Sequence, residues 1–259
     1  MSELEAFLNG SILAFLITFV RIGTAIMIMP GIGDSFTPAN VRLFMALGLA
    51  LMLAPMVAGH MPTPVPQDGH LFVLIGKEFL VGLFIGMIAR IFMSALDVAG
   101  TIMSLLSGLG NAQVFNPSAA TQGSLIGAFL SVTGSAIVFA SDMHHIFFYG
   151  VAESYELFPV GVIPDTGSMA EVIAKTFTNA FSIGFQLAAP FFVVGLLVYI
   201  GMGVLSRLMP QIQVFLIALP LQIMLAHVTL AMTLSAVFMF WLNDFKDLLT
   251  QFYASSGSG

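Results

Sequence analysis

Between Phe7 and Trp241 the chain is apolar almost without pause, yet most long apolar runs carry a charge or a proline near their middle. Arg21 sits in the first run, Lys77, Glu78 and Arg90 in the third, Asp142 in the fourth, and Pro190 and Pro220 in the last two. On a lipid-facing helix each centrally placed charge costs about 2.5–3.5 kcal/mol. A chain that keeps several must bring them to protein or water, which marks a part of an assembly rather than a simple anchor. Only 8% of the 259 residues are charged and 58% are hydrophobic, with a mean hydropathy of +1.02. Soluble domains carry about 25% charged residues, so the composition defines an all-α integral membrane protein.

Composition also excludes several functions. There is no cysteine, so disulfides and thiolate metal sites cannot form. Seven Lys and Arg against 13 Asp and Glu give a net charge of −6 with no basic cluster, which argues against nucleic-acid binding. The acidic start, Met1 to Glu5, lacks the positive flank of a cleaved signal peptide. Residues 254–259 read as a flexible tail or linker.

A bilayer span needs about 20 apolar helical residues. The first predicted helix, Phe7–Met29, stops at the breaker Pro30-Gly31-Ile32-Gly33. The second runs from Pro38 to Val57, after turn chemistry at Asp34, Ser35 and Thr37. Prolines 62, 64 and 66 then impose an extended loop. The third, from His70 to about Leu106, exceeds what one span requires. Ser107–Gly123 is too polar for lipid and too rich in glycine for a stable helix. A fourth run, Ser124–Phe148, degrades into an amphipathic stretch over Val151–Leu157, and Pro159–Gly167 is the natural boundary. Two long helices follow, Met169–Leu208 and Ile212–Phe252, turning at Arg207-Leu208-Met209-Pro210-Gln211 and kinked at Pro190 and Pro220. Hydropathy alone counts about six spans. The pairs Gly82/Gly86 and Gly123/Gly127 permit close helix approach.

Lys77 and Glu78 are adjacent and point about 100° apart on a helix, so they cannot pair with each other. Arg90 and Asp97 share a face two turns apart, too far for a direct salt bridge. With Arg21, these five are expected at intersubunit charge contacts. Asp142, His144 and His145 suggest a metal, but adjacent histidines on a helix diverge and no further ligands follow at helical spacing. No metal and no cofactor is expected. Arg207, Pro210 and Gln211 form the tip of the last hairpin. No GxSxG, HExxH or carboxylate pair marks a hydrolase, so no enzyme is expected. Broken helices and intramembrane charges suit a secondary transporter as an alternative, without the paired broken segments or inverted repeat that such a fold uses.

An ordered set of motifs carries a resemblance. Arg21, Pro30-Gly31-Ile32-Gly33, Pro38 and Arg42 are followed by Gly76-Lys77-Glu78, Gly82, Gly86, Ala99-Gly100 and the Gly108–Pro117 loop. Ala189-Pro190, Arg207-Leu208-Met209-Pro210-Gln211, Val214-Phe215 and Pro220 complete it. Over residues 5–245 the chain resembles the FliR family of flagellar type III export-gate subunits. The resemblance implies a FliP-like portion over 1–165 fused to a FliQ-like helical hairpin over 166–253, in long kinked hairpins, with fewer conventional spans than hydropathy counts. It implies one copy in a hetero-oligomer with FliP and FliQ, with FlhB and FlhA as neighbours. That assembly would pass unfolded export substrates across the bacterial inner membrane at the flagellar basal body. A virulence-secretion (injectisome) gate is the alternative use. The loop at about 107–123 matches the family's pore plug, with Gly108, Gly110, Asn111, Gln113, Val114, Phe115, Asn116 and Pro117 as its gating residues. Val114 and Phe115 would supply an apolar stopper, and hydrophobic constrictions do gate channels.

Overall fold

In the computed structural model, the described residues are all except 1, 60, 62–68, 111–123, 163, 210–213 and 255–259, and side chains are also left aside at 2–9, 215–217 and 249–254. Among the described residues the chain forms eight α-helices and no strand. They are α1 (Ser2–Ile28), α2 (Ala39–Ala58), α3 (Gly69–Leu106), α4 (Leu125–Ala140), α5 (Met143–Leu157), α6 (Thr166–Leu187), α7 (Ala189–Leu208) and α8 (Val214–Ala254). Five are long and apolar enough to cross a membrane, and six if the bent pair α4–α5 makes one span. The fold is that of an all-α multi-pass membrane protein.

Two of the expected helices are broken. The run from Ser124 bends by 76° between α4 and α5. Asp142 takes a left-handed conformation there, φ 58° and ψ 12°, a backbone that no glycine or proline advertises. The expected helix Met169–Leu208 is likewise divided at Ala188 into α6 and α7. Pro190 has no N–H for the Gln186 carbonyl, so the chain restarts with proline in the first turn, where a missing donor costs nothing. Pro220, by contrast, stays inside α8, and Pro55 inside α2.

The chain packs as two compact units whose boundaries fall inside helices. The first comprises residues 1–91, 138–177 and 249–259, the second 92–137 and 178–248. In the first unit α1 and α2 form an antiparallel hairpin. A core of Leu13, Ile17, Val57, Leu74, Tyr155 and Val160 joins it to α3, α5 and the connection after α5. Glycine sets the approach of α3 to α1. A Cβ at Gly82 would lie 2.3 Å from the Arg21 carbonyl oxygen, and one at Gly86 2.9 Å from that of Ala25. The Gly82/Gly86 pattern is therefore a packing seam between α1 and α3.

In the second unit Trp241 is fully buried, with the Phe245 ring stacked at 5.5 Å and the Phe92 ring at 6.2 Å. Here α3 crosses α4 at Gly100 and Gly127, where a Cβ on the first would reach 2.2 Å from the Cα of the second. Ser124 fixes the crossing by donating its hydroxyl to the Gly100 carbonyl at 2.8 Å.

Candidate functional site

Arg21 is wholly buried on α1 and faces Glu78 of α3 at 2.6 Å, the carboxylate being equally enclosed. Its two terminal nitrogens also donate. Nη1 donates to the Ser154 carbonyl at 3.0 Å and hydroxyl at 3.2 Å, and Nη2 to the Phe158 carbonyl at 2.8 Å. The Tyr155 ring lies 3.9 Å under the guanidinium, which adds a cation–π contact. Arg21 thus clips α1 to α3 and to the C-terminal end of α5, where positive charge is favoured. Arg21 and Glu78 therefore find a partner inside the chain, and neither side chain reaches the surface of this chain. A buried pair of this kind contributes little net stability, but removing one partner costs about 3–5 kcal/mol.

The other charges on α3 also fasten separate segments of the chain. Lys77 donates to the Gly161 carbonyl at 2.7 Å and ties down the connection after α5, which turns at Gly161 with φ 85°. Arg90 pairs with Asp34 in the turn after α1, and its side chain stays half exposed. The second Asp34 oxygen accepts the Gly31 N–H at 2.7 Å, while Arg42 donates to the Gly33 carbonyl at 3.2 Å. Gly31 adopts φ 85°, and a Cβ there would stand 2.5 Å from the Phe139 ring, so this turn requires glycine. Asp97 is exposed on α3 and accepts the Ser131 hydroxyl of α4.

At the start of α6, Asp165 accepts the Gly167 N–H at 3.0 Å and the Ser168 hydroxyl at 2.6 Å. These bonds, the Ser168 hydroxyl first, hold its carboxyl below the usual range. One turn later the Lys175 ammonium does the same for Glu171.

Of the proposed plug residues, Gly108 and Gly110 are described, while Asn111 and Gln113 to Pro117 lie outside the described residues. The stem Ser107–Gly110 closes the end of α3. Ser107 N–H donates to Met103 O at 2.9 Å, Gly108 N–H to Leu105 O at 3.3 Å and Gly110 N–H to Ser104 O at 3.0 Å. The Leu106 carbonyl is reached by the Gln222 amide of α8 at 2.7 Å. At the hairpin tip Arg207 is exposed in the last turn of α7, and Pro210 and Gln211 lie outside the described residues.

Asp142, His144 and His145 are the group that could hold an ion, with ligand atoms within 4.8 Å of one another. The two imidazoles do not diverge as expected, since their ring centroids are 4.1 Å apart. Both His145 and Asp142 are largely exposed, and their contact is 3.6 Å.

Sequence reasoning missed Ser154, Phe158 and Gln222 as partners. The signal for Gln222 was a lone amide in an apolar run, two residues after Pro220. Ser154 and Phe158 act mainly through backbone carbonyls, for which a sequence offers no signal.

The helices and their buried charges define a multi-pass α-helical membrane protein with internal ion pairs in its helical core. Residues 12–248 match the family described as bacterial export proteins, family 1. The chain is 38% identical to the flagellar biosynthetic protein FliR of Caulobacter vibrioides, covering 91% of this chain and 94% of that protein. It is 32% identical to FliR of Bacillus subtilis, over 90% of each chain. It is also 32% identical to the Yop proteins translocation protein T of Yersinia pestis, over 70% of each. The chain therefore belongs to bacterial export protein family 1, the family of the flagellar biosynthetic protein FliR. It is a multi-pass inner-membrane component of the type III export apparatus.

Proposed function

We propose that this chain is a structural, non-catalytic subunit of the flagellar export gate, present as one copy with FliP and FliQ around a channel for unfolded substrates. The observation that carries the reading is the extent of uncovered apolar surface. In the hydropathic windows of α7 and α8 only 11% and 17% of residues are buried within the chain. A groove of about 710 Å³ between these helices is lined by side chains such as Val198, Met202, Leu205, Ala218 and Leu221.

Lipid alone is a poor cover for all of it. With 38 residues at 1.5 Å each, α3 is about 57 Å long against a hydrocarbon core of about 30 Å. Along its length Arg90 and Asp97 stand exposed, each costly in lipid. Companion subunits that bring a positive charge to Asp97, cover the Arg90–Asp34 pair and bring apolar helices to α7 and α8 resolve both. Residues 1–165 would then act as the FliP-like portion and 166–253 as the FliQ-like hairpin. Lys77, Arg90 and Asp97 would face neighbours, and the tip at Arg207, Pro210 and Gln211 would meet other gate proteins such as FlhB and FlhA.

The loop that leaves the α3 stem, from Gly108 to Pro117, is the plug in this reading. Deleting Asn111–Phe115 in an assembled gate is expected to raise leakage of ions and small solutes; unchanged permeability would overturn it. Use in a virulence-secretion gate is the second reading, favoured by the relative from Yersinia pestis. The flagellar relatives from Caulobacter vibrioides and Bacillus subtilis align over nine-tenths of the chain, against 70% for that one.

A further inference from the structure

We propose that Gln222 is a tether that holds the stem Ser107–Gly110 at the end of α3 against α8, so that motion of α8 is passed to the stem, an inference that rests on reading the loop beyond it as the plug.

A helix ends with four carbonyls that lack helical donors. In α3 these are Met103, Ser104, Leu105 and Leu106. The first three are satisfied locally, by Ser107 N–H, by Gly110 N–H with the Ser107 hydroxyl, and by Gly108 N–H. The fourth takes its donor from 116 residues away, the Gln222 side-chain amide at 2.7 Å. Gln222 is 6% exposed in an otherwise apolar stretch. A buried amide without a partner is costly, so Leu106 O and the Gln222 amide hold each other.

Two glycines lie in contact range of this arrangement. Gly108 turns with φ 79°, and a Cβ there would sit 3.4 Å from the amide carbon and oxygen of Gln222. A Cβ on Gly195 of α7 would stand 3.6 Å from the Leu106 side chain. The α7–α8 hairpin therefore grips the last residue of α3 from two sides.

The coupling on the α8 side is one side-chain bond, which opens without unwinding either helix. Pro220 lies two residues before it and removes a helical hydrogen bond from the same turn of α8. Movement of α8 at this weakened turn releases or pulls the stem. Gln222 is thus a positioning residue and touches no substrate.

The chain has no cysteine, so a single Leu109→Cys reports on the stem. Its labelling by a membrane-impermeant maleimide is measured in the assembled gate in vesicles, with solute leakage recorded from the same sample. Gln222→Met keeps length and apolar volume but removes the donor. It is expected to speed labelling about fivefold, or about 1 kcal/mol at about 1.4 kcal/mol per tenfold. Gln222→Asn keeps the amide one methylene short and is expected to fall between; it decides the matter if the Met variant does not assemble. Unchanged labelling in an assembled variant overturns the tether, including the case where only thermal stability drops, as a purely structural cap would give. Faster labelling with unchanged leakage upholds the tether and instead refutes the plug reading.

Discussion

Replacing Glu78 with alanine removes the one carboxylate facing the Arg21 guanidinium and leaves a full positive charge enclosed. Arg21 keeps the Ser154 and Phe158 carbonyls, so the site is weakened rather than emptied. The lost partner was nevertheless the only charged one among the described residues, at 2.6 Å. Truncating one member of a buried pair costs about 3–5 kcal/mol. For a chain of this size about 2–4 °C of midpoint follows each kcal/mol, so thermal unfolding should fall by about 6–20 °C. Glu78→Gln keeps an acceptor of the same shape and should lose less. The double change Arg21→Met with Glu78→Leu removes both charges and should recover much of the loss, because apolar replacement of a buried pair is often neutral. Its recovery is limited by the Phe158 carbonyl, which loses a donor worth about 1–3 kcal/mol, whereas the Ser154 carbonyl keeps the Phe158 N–H at 2.9 Å. The assay is the melting of the purified gate in one detergent, followed by the fluorescence of Trp241, the chain's single tryptophan. A Glu78→Ala shift below about 2 °C, or a double variant as unstable as the single, would refute the buried-pair reasoning.

Gly82→Val places a side chain where even a Cβ lies 2.3 Å from the Arg21 carbonyl; α1 and α3 should separate at a cost of about 1–3 kcal/mol or more, read as lost assembly on a native gel. Gly100→Ala meets Gly127 at 2.2 Å and should lower the yield of the second unit's fold, measured by limited proteolysis of α3 and α4. Asp165 has a lowered carboxyl pKa, so its contribution is present above the ordinary value of 3.8 and fades as pH falls through and below it. Amide protection over residues 166–170, taken relative to the intrinsic exchange rate at each pH, should therefore fall on acidification in the native protein, and Asp165→Asn should remove most of that pH dependence while keeping a helix cap.

The helix inventory was legible because its punctuation is local. Pro30-Gly31-Ile32-Gly33 ends α1, and the Gly31 conformation and the crowding at Gly33 explain why small residues stand there. Pro190 was also legible as a disturbance, though it starts a helix instead of kinking one, since its first-turn position needs no donor. The bend at Asp142 was hidden. An aspartate takes a left-handed conformation only rarely, and the apolar pattern continues through it. The charges were visible as anomalies, but their pairing was not. Arg21 and Glu78 are 57 residues apart, and periodicity within a helix says nothing of which neighbour a face meets. The same limit hid Gln222, whose partner is a main-chain carbonyl that no residue type encodes.

The account rests on companion proteins covering the apolar faces of α7 and α8 and the exposed charges of α3. Native mass spectrometry of the particle purified through this chain, released gently from membrane, tests it most directly. The predicted result is a large hetero-oligomer holding a single copy of this chain among several copies of smaller helical subunits. A lone chain carrying only lipid, or a symmetric ring of this chain by itself, would contradict it.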